Sequence, residues 1–289
     1  MENDNNTESF NIGDTFKDGI SSGMLRLIAC ITMFIDHIGY GICEKILLVT
    51  RDPDIFEKVL RVDRVLRVVG RIAFPIFCYQ LVVGFFYTRS RKKYAFRLLI
   101  FSLISEVPFD LMARNEVVAW DYQNVGFTLL LGFLAIWVCE IIDEKLNKYI
   151  NCEDTNENTF DIKMYLAKFI AAIPFMALAE YMHTDYASRG VFLIVLIYLF
   201  FDDQFRMACV VPSIFLVYYF FSHWAIGKSL DNAIHYTTNE MAIIVSFLLI
   251  LKDNRKRSKS MWYKVLGYSF YPAHMLLIFT ALIFILYKM

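Results

Sequence analysis

His37 is the side chain in this sequence best suited to moving a proton, because an imidazole titrates near neutrality and can both accept and donate. It follows Asp36 inside the apolar stretch MLRLIACITMFIDHIGY, Met24 to Tyr40. Ionisable groups at bilayer depth are expensive, and a functional site is their default reading. Arg26 lies eleven positions before His37, about three helical turns, so the two share a helix face roughly 16 Å apart along the axis. Neighbours in a helical sequence stand about 100° apart, so Asp36 need not be the group that orients His37. Glu106 or Asp110 are equal candidates for that task.

Further polar groups fall inside apolar runs. Arg64, Arg67 and Arg71 recur at i, i+3 and i+7 and share a helical face. Arg67 and Arg71, with forked guanidinium groups, suit a carboxylate or phosphate partner. Glu106 and Asp110, at i and i+4 with Pro108 between them, must be paired or line a polar cavity, and Arg71 is their expected partner. Asn124 and Thr128 share another face, as interhelical hydrogen bonds or as part of a site. Asp185 and Arg189 flank an aromatic residue in EYMHTDYASRG and border a candidate site, while His274 follows Pro272 in the last apolar run. His223 and His235 are expected in an outer, solvent-facing loop.

Holding these residues at depth requires membrane helices. The chain has 289 residues, is 57% hydrophobic and 17% aromatic, and has a mean hydropathy of +0.46. A soluble domain is nearer 45–50% apolar, so the expected fold is an all-α polytopic membrane helix bundle. Nine apolar runs, near 24–46, 68–87, 94–113, 125–143, 165–182, 190–201, 205–222, 238–251 and 265–287, predict about nine spans, with eight or ten as alternatives. Runs 190–201 and 238–251 are short for a perpendicular span, which predicts tilt or burial among other helices. The basic loops RSRKK and KDNRKRSKS, if cytoplasmic, put the N-terminus inside and the loops at 114–124, 183–189 and 223–237 outside.

Residues 1–23 form a polar N-terminal segment, expected to be cytoplasmic, without the basic start of a signal peptide. Residues 24–289 read as one integral-membrane domain with an acidic, mobile cytoplasmic loop at 144–163. A formal net charge of zero points to no nucleic-acid partner. Six cysteines without a CxxC or Cys/His cluster suggest neither a metal site nor a disulfide framework.

In this order, MLRLIACITMFIDHIGY, VVGRIAFPIFCYQLVVGFFYTRSRKKYAFRLLIFSLISEVPFDLM, NVGFTLLLG, DYASRGV and FYPAHM resemble the TraX family. The resemblance covers about residues 24–280. The family's best-known member is associated with N-terminal acetylation of conjugative pilin, and the family is similar to the acyltransferase family 3 superfamily. That superfamily carries a basic residue, ten spacers and a histidine in its first span, which Arg26 and His37 match. The resemblance implies a cytoplasmic acetyl-CoA donor, a catalytic histidine at His37 and a multi-pass bacterial cytoplasmic membrane location.

The expected function is therefore transfer of an acetyl or other acyl group to an outer acceptor: a peptide, a glycan or a small molecule. Bilayer lipids surround the chain, and no metal takes part. His37 would act as general base, helped by Asp36, Glu106 or Asp110, with Arg26 at the donor entrance and Arg71, Asn124 or His274 at the developing oxyanion. The rival is a secondary transporter coupling protons or an anion through Arg71, Glu106, Asp110 and His37. A non-catalytic assembly factor for a surface polymer is the third class.

Overall fold

The computed structural model describes residues 19–150, 157–225, 229–254 and 261–288. Every regular element among them is a helix, and each of the nine apolar runs falls on helix. Among the described residues, six segments are long and apolar enough to cross a membrane: 22–49, 53–87, 125–145, 163–181, 204–225 and 268–287. Two shorter apolar helices, 187–199 and 236–251, accompany them.

The first segment is α1 (Ser22–Ile38), a π-helical turn (Gly39–Cys43) and α2 (Glu44–Val49). Ser21 starts it, its hydroxyl accepting the N–H of Met24 at 3.3 Å. The π turn begins two residues after His37, and such turns often occur at functional sites. Next come α3 (Pro53–Gly70), capped by the Asp52 carboxylate, and α4 (Ala73–Tyr87) after a break at Arg71 and Ile72. Helix α5 (Arg91–Arg114) takes in most of the basic loop expected there, is capped by Ser90 and ends at Asn115 in the left-handed region, φ 60°. Helices α6 (Val125–Ile150) and α7 (Glu157–Tyr181) claim both flanks of the expected loop at 144–163. Its positions 151–156 lie outside the described residues, as do residues 1–18 and 255–260 of the N-terminal segment and second basic loop.

Helix α8 (Ala187–Leu199) is buried at every position from Gly190 to Tyr198. A helix apolar all round belongs in an interior, and the short run at 190–201 forms a central helix buried among the others. Its Ile194 and its neighbours form the larger core with Phe74, Tyr79, Phe85, Phe133, Met207 and Phe247 from four further helices. These segments include α9 (Gln204–Ala225) and, after α10 (Leu230–Glu240), α11 (Ile243–Leu251). A second, smaller core joins α1, α5 and the last helix, α12 (Met261–Lys288), through Met33, Phe109, Met112, Tyr271, Met275 and Ile278. The candidate site sits in this smaller core.

Two isolated backbone bridges group the loops by side. Ile20 pairs with Asp253, and Gln123 with Thr184. Each joins segments that the charge distribution assigns to the same membrane face.

Helices α1 and α3 cross closely because Gly70 has no side chain. A Cβ there would run into the Cβ as well as the carboxylate of Asp36, so rotating the aspartate cannot relieve the clash. Gly70→Ala is expected to cost about 1–3 kcal/mol through overpacking and to lower the thermal unfolding midpoint of detergent-solubilised protein. An unchanged midpoint would show that the crossing tolerates separation.

Candidate active site at a buried histidine pair

The chemistry of the small core begins with its carbonyl groups. One helical turn before His274, the carbonyl of Phe270 lies 2.7 Å from His274 Nδ1. A carbonyl only accepts, so Nδ1 of His274 carries the proton. In a neutral ring Nε2 is then the acceptor. That Nε2 lies 2.5 Å from Nδ1 of His37, so His37 donates through Nδ1 and keeps its lone pair on Nε2.

The two rings are nearly parallel, at 7°, with centroids 4.8 Å apart. The nitrogen separation plus the two ring radii accounts for that distance, so the imidazoles meet edge to edge in one plane and do not stack face on face. Both are buried, at 8% and 3% exposure. Phe34, Phe270 and Tyr271 enclose them, Tyr271 lying edge-on to each histidine with centroids at 5.9 and 5.8 Å. An imidazole fixed in one tautomer, with a free Nε2 lone pair, is a general base of the kind used in acyl transfer.

The expectation that Asp36, Glu106 or Asp110 orients His37 is corrected: His274 holds that position. Asp36 sits one residue earlier and so faces α3, where its Oδ2 accepts from Arg67 at 2.6 Å. Arg67 also reaches Glu44 at 3.4 Å and lies over the Tyr40 ring. Arg71 was expected beside Glu106 and Asp110, but the break after α3 turns it to Glu240 at 3.0 Å. Glu106 accepts through Oε2 from both the backbone and side-chain N–H groups of Asn124. Asn124 also donates to the Ser102 carbonyl and accepts from Gly126, capping α6. Asp110 takes the N–H of Ala119 at 2.8 Å, which ties down the 115–124 loop.

Asp185 stands on the opposite loop and accepts from the Tyr122 hydroxyl at 2.8 Å. Desolvation pushes its carboxyl above the usual range, against the pull of Tyr122, Arg67 and Arg71. Desolvation and Asp185 together push the Tyr122 hydroxyl upward. His183, Tyr186 and Ala187 all have positive φ in this turn, a strained backbone of the kind that marks binding and switch regions. Thr128 holds it through Thr184 at 2.9 Å and the Asp185 carbonyl. Arg189 lies over the Tyr219 ring at 5.3 Å, outside the histidine pair. At the other end of α1, Arg26 donates to Gln80 at 3.1 Å, and Gln80 donates to the Ser22 carbonyl.

His223 is buried within α9, its Nδ1 2.9 Å from the Tyr219 carbonyl, which corrects the solvent-facing expectation. The side chain of His235 lies outside the described residues. No group of His, Cys, Asp and Glu suited to a metal occurs among the described residues.

The sequence profile of the TraX protein family matches residues 21–283. The chain belongs to the TraX family. The probable fimbrial assembly protein FimC, serogroup H1, of Dichelobacter nodosus is similar over 125 residues at 33% identity, 41% of this chain and 46% of that protein. The similarity thus spans less than half of the relative's length. No solved structure matches. Within this TraX-family chain, sequence reasoning found both histidines but missed Tyr271, Glu240 and Tyr122. Tyr271 had a signal: in FYPAHM it precedes His274 by three positions, one helical turn on the same face.

The Asp36–Arg67 pair positions α1 against α3, and removing one partner strands the other charge. Arg67→Met is expected to destabilise the protein by about 2–3 kcal/mol. Adding Asp36→Asn should recover most of that loss, measured by thermal unfolding of both variants. Additive losses would show that the two groups act independently.

Proposed function

We propose that this TraX-family protein is an integral-membrane acyltransferase that takes an acetyl group from acetyl-CoA on the cytoplasmic side. The acceptor is an amine or hydroxyl presented from the outer side of a bacterial cytoplasmic membrane. The observation that carries this reading is the relay from the Phe270 carbonyl through His274 to His37, which leaves Nε2 of His37 as a base. Membership of a pilin-associated family and similarity to a protein named for fimbrial assembly favour an acceptor on an exported surface subunit.

The step is addition followed by elimination. Nε2 of His37 takes the proton from the acceptor's N–H or O–H, and the acceptor's lone pair adds to the thioester carbonyl carbon. The carbonyl π pair moves onto oxygen and forms a tetrahedral oxyanion. Its collapse restores the carbonyl and breaks the C–S bond, and the departing thiolate takes the proton from the His37 imidazolium. His274 stabilises that imidazolium by keeping its Nε2 lone pair on the His37 Nδ1–H, the part a carboxylate plays in other triads. Arg26 marks the donor side, three turns below the base, where its guanidinium suits the phosphates of coenzyme A.

Membrane vesicles containing the protein, given radiolabelled acetyl-CoA, should release free coenzyme A and label the envelope fraction in proportion. His37→Ala is expected to lower both by a hundredfold or more, the usual worth of a general base, while eluting as a folded monodisperse species. Near-normal turnover by His37→Ala would sink the reading. Passage of label across the membrane without coenzyme A release would favour transport. His274→Ala should lower kcat with little change in the KM for acetyl-CoA.

A further inference from the structure

The small core holds one more polar atom that its packing leaves unused. The hydroxyl of Tyr271 is buried and has no hydrogen-bond partner among the described residues, in a side chain only 3% exposed. An unsatisfied buried hydroxyl costs stability, so a phenylalanine would pack here at least as well. The Tyr271 ring lies edge-on to His37 at 5.9 Å and to His274 at 5.8 Å. The hydroxyl is therefore an uncommitted donor carried on a ring that touches both imidazoles.

We propose that the Tyr271 hydroxyl is an oxyanion donor that binds the carbonyl oxygen of the transferred acyl group. This inference rests on the acyltransferase reading and assigns a donor that reading requires. A phenol is neutral at physiological pH and presents a proton. As the acceptor adds, the carbonyl π pair moves to oxygen, and this donor meets the charge at the atom where it develops. The donors expected from sequence serve elsewhere: Arg71 is committed to Glu240, Asn124 to Glu106 and the α6 cap, and His274 to His37.

Tyr271→Phe tests this, with coenzyme A release from acetyl-CoA as the activity and thermal unfolding as the structural readout. The expected result is a kcat lower by about a hundredfold or more, the cost of one oxyanion donor. The KM for acetyl-CoA and the pH midpoint of kcat/KM should not move, and the unfolding midpoint should stay the same or rise. Ser105→Ala, which removes another unpartnered buried hydroxyl from α5, should keep wild-type turnover. Full turnover by Tyr271→Phe, with His37→Ala inactive, overturns the oxyanion assignment and leaves the acyltransferase reading standing. A drop in unfolding midpoint or a displaced pH midpoint also overturns it, in favour of a structural or histidine-positioning role. Absence of coenzyme A release from wild-type protein overturns both.

Discussion

A hydrogen bond between two buried imidazoles constrains most of what surrounds it. His37 and His274 lie 237 positions apart in the chain, on the first and last helices, and their rings must be coplanar for the bond to form. Coplanarity fixes the rotation of α1 and α12 about their own axes. The aromatic side chains Phe34, Phe270 and Tyr271 close the space around the rings. In so buried a setting a polar interaction is stronger and an unpaired nitrogen costlier. The Phe270 carbonyl then decides every proton position in the pair, since it can accept only.

The ion pairs form the frame for that bond. Asp36 adjoins His37 in sequence, yet one helical step turns it toward α3, where it fixes α1 by gripping Arg67. Arg71, at the break between α3 and α4, fastens Glu240 at the end of α10. Each buried guanidinium is thus spent on a carboxylate from another segment, which is what uncompensated charge in a low dielectric requires. Arg67, Arg71, Glu106 and Asp110, the charges that first suggest proton or anion coupling, each join one segment to another. On the acyltransferase reading, the chemistry falls to His37, His274 and Tyr271.

How much of this was legible follows from what each type of residue reveals. Apolar runs and polar interruptions announce membrane helices, because lipid tolerates no unpaired backbone; hence the all-α bundle and the nine helical runs. His37 was legible because an ionisable group inside such a run is rare. Its partner was harder to read, since three carboxylates and one histidine were all chemically suitable and only tertiary packing chose among them. Arg71 was assigned to the wrong carboxylates for the same reason: the helix break that redirects it contains no proline or glycine beyond Gly70. Tyr271 was passed over because a tyrosine in an aromatic-rich span looks like packing until its hydroxyl is seen without a partner. The strained turn at 183–187 has no glycine to announce it.

One helix bears an unequal share of the site. α12 contributes His274, which sets the tautomer of the base, and Tyr271 one turn away on the same face. It packs against α5, α1 and the π turn, so its seating depends on the small core and not on the large one around α8. Displacing α12 from α1 removes the orienting histidine and the tyrosine hydroxyl in a single motion. On the acyltransferase reading, the base and its oxyanion donor are therefore gained and lost together. On that reading, α12 is the condition on which His37 in α1 becomes reactive.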